Sequence, residues 1–169
     1  MPRRSSRGSG PTKPTVGALD AGLRLLARRA HSRTELRRKL GRRGYSSGET
    51  EAAMARLDEL GYLDDRSFAE GLVRRRAALR GPMALSAELA ARGVGRAQAD
   101  AALAGFDHDA QLASATRLAE RLYARQPGLA YREMLNGIGS KLMRRGFSST
   151  IVRAACWSVL TGTQEHTEA

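Results

Sequence analysis

Cysteine is almost absent: Cys156 is the only one. That rules out an internal disulfide framework and leaves no thiolate cluster for structural zinc. Aromatic residues make up 5% of the chain and Val and Ile are few, so the β-branched and aromatic runs that build strands are missing. No apolar run approaches the ~18 residues of a membrane span, and nothing near Met1 has the apolar core of a secretory signal. Acidic residues are also short, 17 against 29 Lys and Arg, for a net charge of +12. The expectation is a cytoplasmic chain with no membrane partner, whose charge suits a polyanion or an acidic protein. The 169 residues that carry these features are 41% hydrophobic, enough to bury a core.

The positive charge is unevenly spread. Residues 1–16 hold Arg3, Arg4, Arg7 and Lys13 without an acid, among Ser, Gly and Pro. That composition reads as a disordered basic tail. Residues 17–44 carry nine bases and two acids, and residues 45–65 reverse to six acids against Arg56. Residues 66–81 and 127–147 are basic again. A single charge run is most often a solvated helix face; the tail and the two basic blocks that follow it together point to a partner.

Apolar residues recur at helical spacing. Leu19, Leu23, Leu26 and Ala30 form one stripe, Phe68, Leu72 and Leu79 another, and Leu112, Ala115, Ala119 and Leu122 a third. The fold class is all-α. Three segments then align without a gap on a central glycine: LRRKLGRRGYSSGETEAAM (36–54), LSAELAARGVGRAQADAAL (85–103) and IGSKLMRRGFSSTIVRAAC (138–156). Leu36, Leu85 and Ile138 lie eight before Gly44, Gly93 and Gly146, and Leu40, Leu89 and Leu142 lie four before. Tyr45, Val94 and Phe147 follow the glycine. A pattern repeated at about 50-residue spacing defines a tandem array.

Each position has a mechanical reading. The pair at i, i+4 faces the core of a short helix, and the glycine takes the left-handed conformation that ends it. The next helix is capped by Ser46, Gly95 or Ser148, with Glu49 and Gln98 three beyond the first two caps. Ser46 with Glu49, and Ser32 with Glu35, form capping boxes. Asp64 caps the following helix, with Leu63 and Phe68 in staple positions. Three tandem three-helix repeats follow, at 17–64, 65–106 and 107–162, with a C-terminal tail at 163–169, in an elongated, curved array.

The strings GYLDDRSFAE (61–70) and HSRTELRRKL (31–40), the LRRKLGRRGY before the first, the turn at Gly81-Pro82 and the final KLMRRGFSSTIV (141–152) resemble the RecX family of recombination regulators. The stretch MALSAEL after Pro82 departs from the family in lacking basic residues. The resemblance implies a non-enzymatic monomer that binds the RecA recombinase in the groove of its DNA filament. It implies depressed ATP hydrolysis, strand exchange and co-protease function, weak non-specific DNA binding, and an arc of three three-helix repeats. The alternative is a stand-alone helix-turn-helix-like reader of DNA or RNA. Asn136 is the only Asn, and the Gln residues lie outside the basic helices, which argues against base-specific readout.

The residues expected to meet partner or DNA are Arg37, Arg38, Lys39, Arg42, Arg74, Arg76, Lys141 and Arg144. Arg38 and Arg42 are i, i+4 neighbours away from Leu36 and Leu40, with Lys39 at their edge. Arg75 falls on the apolar side of its helix and is expected to pair with an acid. Arg43, Arg92 and Arg145 recur before each glycine and read as cations offsetting a helix C-terminus. Lys39 and Lys141 become Glu88 in the second repeat, so that charge is repeat-specific. Asp64 and Asp65 read as caps rather than metal ligands, Cys156 as a buried thiol, and Trp157 and Tyr123 as core or edge packing rather than base-stacking platforms. No catalytic constellation, metal site or cofactor motif is expected.

Overall fold

The computed structural model describes residues 16–165, with side chains to residue 162; the tails expected at the two ends lie almost wholly outside them. The described residues form helices joined by turns and short loops, with no strand. In order they are α1 (Ala18–Arg28), α2 (Arg33–Arg42), α3 (Ser47–Glu59), α4 (Asp65–Arg76), α5 (Pro82–Ala91), α6 (Arg96–Ala104) and α7 (His108–Tyr123). After these come α8 (Tyr131–Met134), a π-helical turn (Leu135–Gly139), α9 (Ser140–Arg144) and α10 (Ser149–Glu165). The chain divides into two compact units, one ending at Asp65 and the other beginning at Arg66.

The first unit is α1–α3. Ala21, Leu25, Leu36, Leu40, Tyr45, Ala53, Met54, Leu57 and Leu63 form its core. Leu36, Leu40 and Leu57 are fully buried, each worth about 1.5–3 kcal/mol of transfer free energy. Helix α1 approaches α3 closely at Gly22, where a Cβ would stand 2.7 Å from Leu57 Cδ1. Ser32 caps α2 by accepting from the Glu35 N–H at 3.1 Å. Ser46 and Glu49 complete a capping box at α3. The Asp65 carboxylate accepts from the Arg33 N–H at 2.8 Å, so it satisfies the first turn of α2 from outside the helix.

The second unit joins the second and third repeats around one core. Leu85, Leu89, Ile138, Leu142, Phe147, Ala155 and Cys156 belong to it, with Phe68, Leu72, Ala115 and Leu118 among their neighbours. The repeat glycines have φ of 88°, 73° and 88° at Gly44, Gly93 and Gly146. At the last two the helix ends in paired reverse bonds: Val94 N–H to Leu89 O with Gly93 N–H to Ala90 O, and Phe147 N–H to Leu142 O with Gly146 N–H to Met143 O.

One joint within this unit was not visible in the sequence. The Gly81 N–H donates to Arg145 O at 2.8 Å, and the Met83 N–H donates to Gly146 O at 3.2 Å. The start of α5 therefore sits on the glycine turn after α9. Cβ atoms would come within 2.3 Å of Gly146 O at Gly81 and within 2.3 Å of Ala84 N at Gly146. Both glycines serve close backbone approach as well as turn geometry.

Candidate functional site

Helix α2 sorts its cations by burying Leu36 and Leu40. Arg37 turns toward α3 and holds Glu51 with two bonds, Nε to Oε1 at 2.7 Å and Nη2 to Oε2 at 3.2 Å. Those bonds hold the Glu51 carboxyl below the usual carboxylate range. Arg38 and Arg42 are exposed and make no ion pair with the described residues. Their guanidiniums, at i and i+4 on one exposed face of the helix, are left for another molecule.

Lys39 is held more tightly. Its Nζ lies 3.0 Å from His31 Nε2 and 3.8 Å from Glu35 Oε1. His31 is buried and its Nδ1 lies 2.9 Å from Arg29 O. A carbonyl only accepts and an ammonium only donates, which assigns the proton to Nδ1 and the lone pair to Nε2. Burial pushes the His31 pKa below its ordinary value, and the neighbouring cations Arg29 and Lys39 add to this. The buried Glu35 carboxylate receives Arg29 at 2.5 Å and 3.1 Å. Of the four residues predicted on α2, two are free and two are engaged internally.

Arg74 in the second unit is exposed with no ion pair to the described residues. Arg75 departs from expectation: it is exposed, pairs with no described acid, and its Nη1 lies 3.0 Å from where a Gly71 Cβ would be. Glycine leaves room for the long side chain to fold back along the helix surface. Arg76 Nη2 stands 3.8 Å from Glu88 Oε1, Arg80 Nη1 is 3.8 Å from Glu88 Oε2, and Arg92 Nη2 is 2.9 Å from Oε1. Arg92 also stands over the Phe68 ring, 6.0 Å from its centroid. Glu88, at the position of Lys39 and Lys141, thus gathers three arginines, Arg76 among them. Lys141 and Arg144 on α9 are exposed without an ion pair to the described residues. The Gly81–Arg145 joint brings Arg80 to the same turn as Arg144 and Arg145.

Trp157 differs from the sequence reading in degree. It is 58% exposed and meets Tyr131 edge to face, ring centroids 5.6 Å apart at 89°. Cys156 is fully buried, its thiol pushed up to about 11 by desolvation. No three His, Cys, Asp or Glu among the described residues are placed to hold a metal ion, and no helix among them is long and apolar enough to cross a membrane.

The profile of "RecX, first three-helix domain" matches residues 18–57, and that of "RecX, second three-helix domain" matches residues 64–103. A "Regulatory protein RecX" from Halorhodospira halophila is 42% identical over 137 residues, spanning 80% of this chain and 84% of that protein. The chain belongs to the RecX family. A RecX of Stenotrophomonas maltophilia is 40% identical over 134 residues, 79% of this chain and 81% of that protein. The crystal structure of RecX from Lactobacillus salivarius superposes with a TM-score of 0.74 at 25% identity, covering 84% of this chain and 94% of that one. The two RecX domains fall on α1–α3 and α4–α6. The RecX assignment makes this a regulatory protein family with an all-helical repeat fold.

Proposed function

We propose that this chain is a non-enzymatic, monomeric regulator that binds the RecA recombinase filament on DNA. There it depresses ATP hydrolysis, strand exchange and co-protease action, in the cytoplasm, as part of the control of DNA repair, recombination and the SOS response. Contact with DNA alone is weak and non-specific, through phosphates. The observation that carries this reading is the sorting of cations on α2 in a chain whose relatives are RecX regulators. Arg38 and Arg42 stay unpaired on one exposed face while Arg37 and Lys39 are held by neighbours. Arg74, Lys141 and Arg144 supply further unpaired charge on the second unit.

The test adds the purified protein to RecA, ATP and single-stranded DNA and follows phosphate release. The expected result is concentration-dependent inhibition. Unchanged hydrolysis at saturating protein contradicts the proposal. The protein alone is expected to turn over neither ATP nor nucleic acid, and turnover surviving rigorous purification would sink the non-enzyme reading.

A further inference from the structure

The three repeats share their buried positions, so the surface positions at which one repeat departs from the others are not dictated by packing. The outer face of α10 departs twice. The position of Glu51 in the first repeat and Asp100 in the second is Arg153 in the third. The position of Ala55 and Ala104, both exposed, is Trp157. Arg153 and Trp157 lie one turn apart on the same face of α10. Tyr131 closes the cluster: its hydroxyl donates to Arg153 O at 3.4 Å and its ring meets Trp157 at right angles.

We propose that Tyr131, Arg153 and Trp157 form a stacking site for a base of single-stranded nucleic acid. A perpendicular neighbour covers at most one face of the indole, and Trp157 is 58% exposed, which leaves aromatic surface for a base. Arg153, with no ion pair among the described residues, supplies charge for the adjoining phosphate. Arg132, next to Tyr131, is exposed and equally unpaired. Glu133, two residues beyond Tyr131, is turned to the helix start, where its Oε2 accepts from the Ala130 N–H at 3.0 Å. From Ser149 to Gly162, α10 carries no acid at all. Aromatic surface beside unopposed cations suits single-stranded nucleic acid better than an acidic protein face, because it offers a partner for both base and phosphate. Every base has a π-face, so the site is indifferent to sequence.

The inference deepens the DNA-binding part of the function proposed above by giving it a place, and its test does not depend on recombinase inhibition. Trp157 is the only tryptophan, so its emission reports on this site alone. The full-length protein is titrated with end-labelled oligo(dT), following label anisotropy for binding and tryptophan emission for stacking. A parallel titration uses an abasic phosphodiester of equal length. Emission is expected to fall with oligo(dT) in step with anisotropy and to stay unchanged with the abasic strand. Trp157→Ala is expected to weaken oligo(dT) binding roughly tenfold, the scale of one lost stacking contact. Trp157→Phe should restore most of it, with helicity by circular dichroism equal in all three proteins. Absence of binding, binding without an emission change, or equal affinity of wild type and Trp157→Ala overturns the proposal. So does an emission change seen only with DNA-free recombinase, which would make the face a protein contact. Loss of recombinase inhibition is a separate readout, so the two proposals fail independently.

Discussion

At the residue scale, the charges divide into those the protein keeps and those it leaves for others. Arg37, Lys39 and Arg76 face Glu51, the His31–Glu35 cluster and Glu88; Arg38, Arg42, Arg74, Lys141 and Arg144 face no described acid. The cluster at His31 gives a pH dependence with a definite sign. The folded imidazole titrates below its ordinary value of 6.5, so near and below that pH the unfolded chain binds the extra proton first. Stability is therefore full above about 6.5 and falls as the pH drops. The melting midpoint is expected to fall between pH 7.5 and 5.5, and His31→Gln, which keeps an acceptor toward Lys39 without titrating, should flatten that slope. Equal slopes in the two proteins would remove His31 from the account. The other described histidine, His108, is exposed beside Asp109 and does not share this environment.

What the residues revealed in advance follows the same division. Burial of the leucine pairs was legible because periodicity and repetition agree on it. The exposure of Trp157 was also available, since the repeat places it at the positions of Ala55 and Ala104. An aromatic residue invites a core reading that the register contradicts. The course of Arg75 and the partner of Arg76 were not legible. They depend on where a long side chain folds across a neighbouring helix, which spacing along one helix does not specify.

At the scale of elements, the helix–glycine–helix unit was readable because its signals are local: a leucine pair, a left-handed glycine, and a serine with a glutamate three residues on. The third repeat shows the limit. Its middle helix begins at Tyr131, seven residues before Ile138, and passes through the wide turn Leu135–Gly139, whereas α2 and α5 begin three residues before Leu36 and Leu85. Gly139 within that turn lets α10 approach, a Cβ there standing 3.1 Å from Val152 Cγ1. No local pattern announces such a turn. The Gly81–Gly146 joint is likewise non-local, and it separates two costs of replacing glycine. Gly61, at φ 74° with no atom near its missing Cβ, should lose about 1–2 kcal/mol on Gly61→Ala, the left-handed penalty alone. Gly146→Ala adds a clash with Ala84, so a further 1–3 kcal/mol is expected. Urea midpoints of the two variants check this, and equal losses would show that the close approach carries no energy.

At the scale of the molecule, the two units hold separate cores, and Cys156 lies buried in the second only. As the only cysteine, with its thiol raised to about 11, it should label slowly until the second unit opens. Leu142→Ala and Leu40→Ala each remove a fully buried side chain at the same repeat position, at a cost of about 2–5 kcal/mol. Leu142→Ala should speed labelling of Cys156 by orders of magnitude, and Leu40→Ala should leave it near the wild-type rate. Equal acceleration by both would mean that the cores open together.

The proposed role of the unpaired cations of α2 is contact with the recombinase filament. It is tested most directly by RecA ATP hydrolysis on single-stranded DNA, titrated with wild type, Arg38→Glu/Arg42→Glu and Arg37→Ala at one salt concentration. Exposed charges away from special contacts change stability by only about ±0.5 kcal/mol, and an exposed pair such as Arg37–Glu51 is worth about 0–1 kcal/mol. All three proteins are therefore expected to stay folded, with melting midpoints close to one another. The double reversal is predicted to abolish inhibition, while Arg37→Ala keeps most of it. A folded double-reversal variant that inhibits as strongly as wild type would contradict the account.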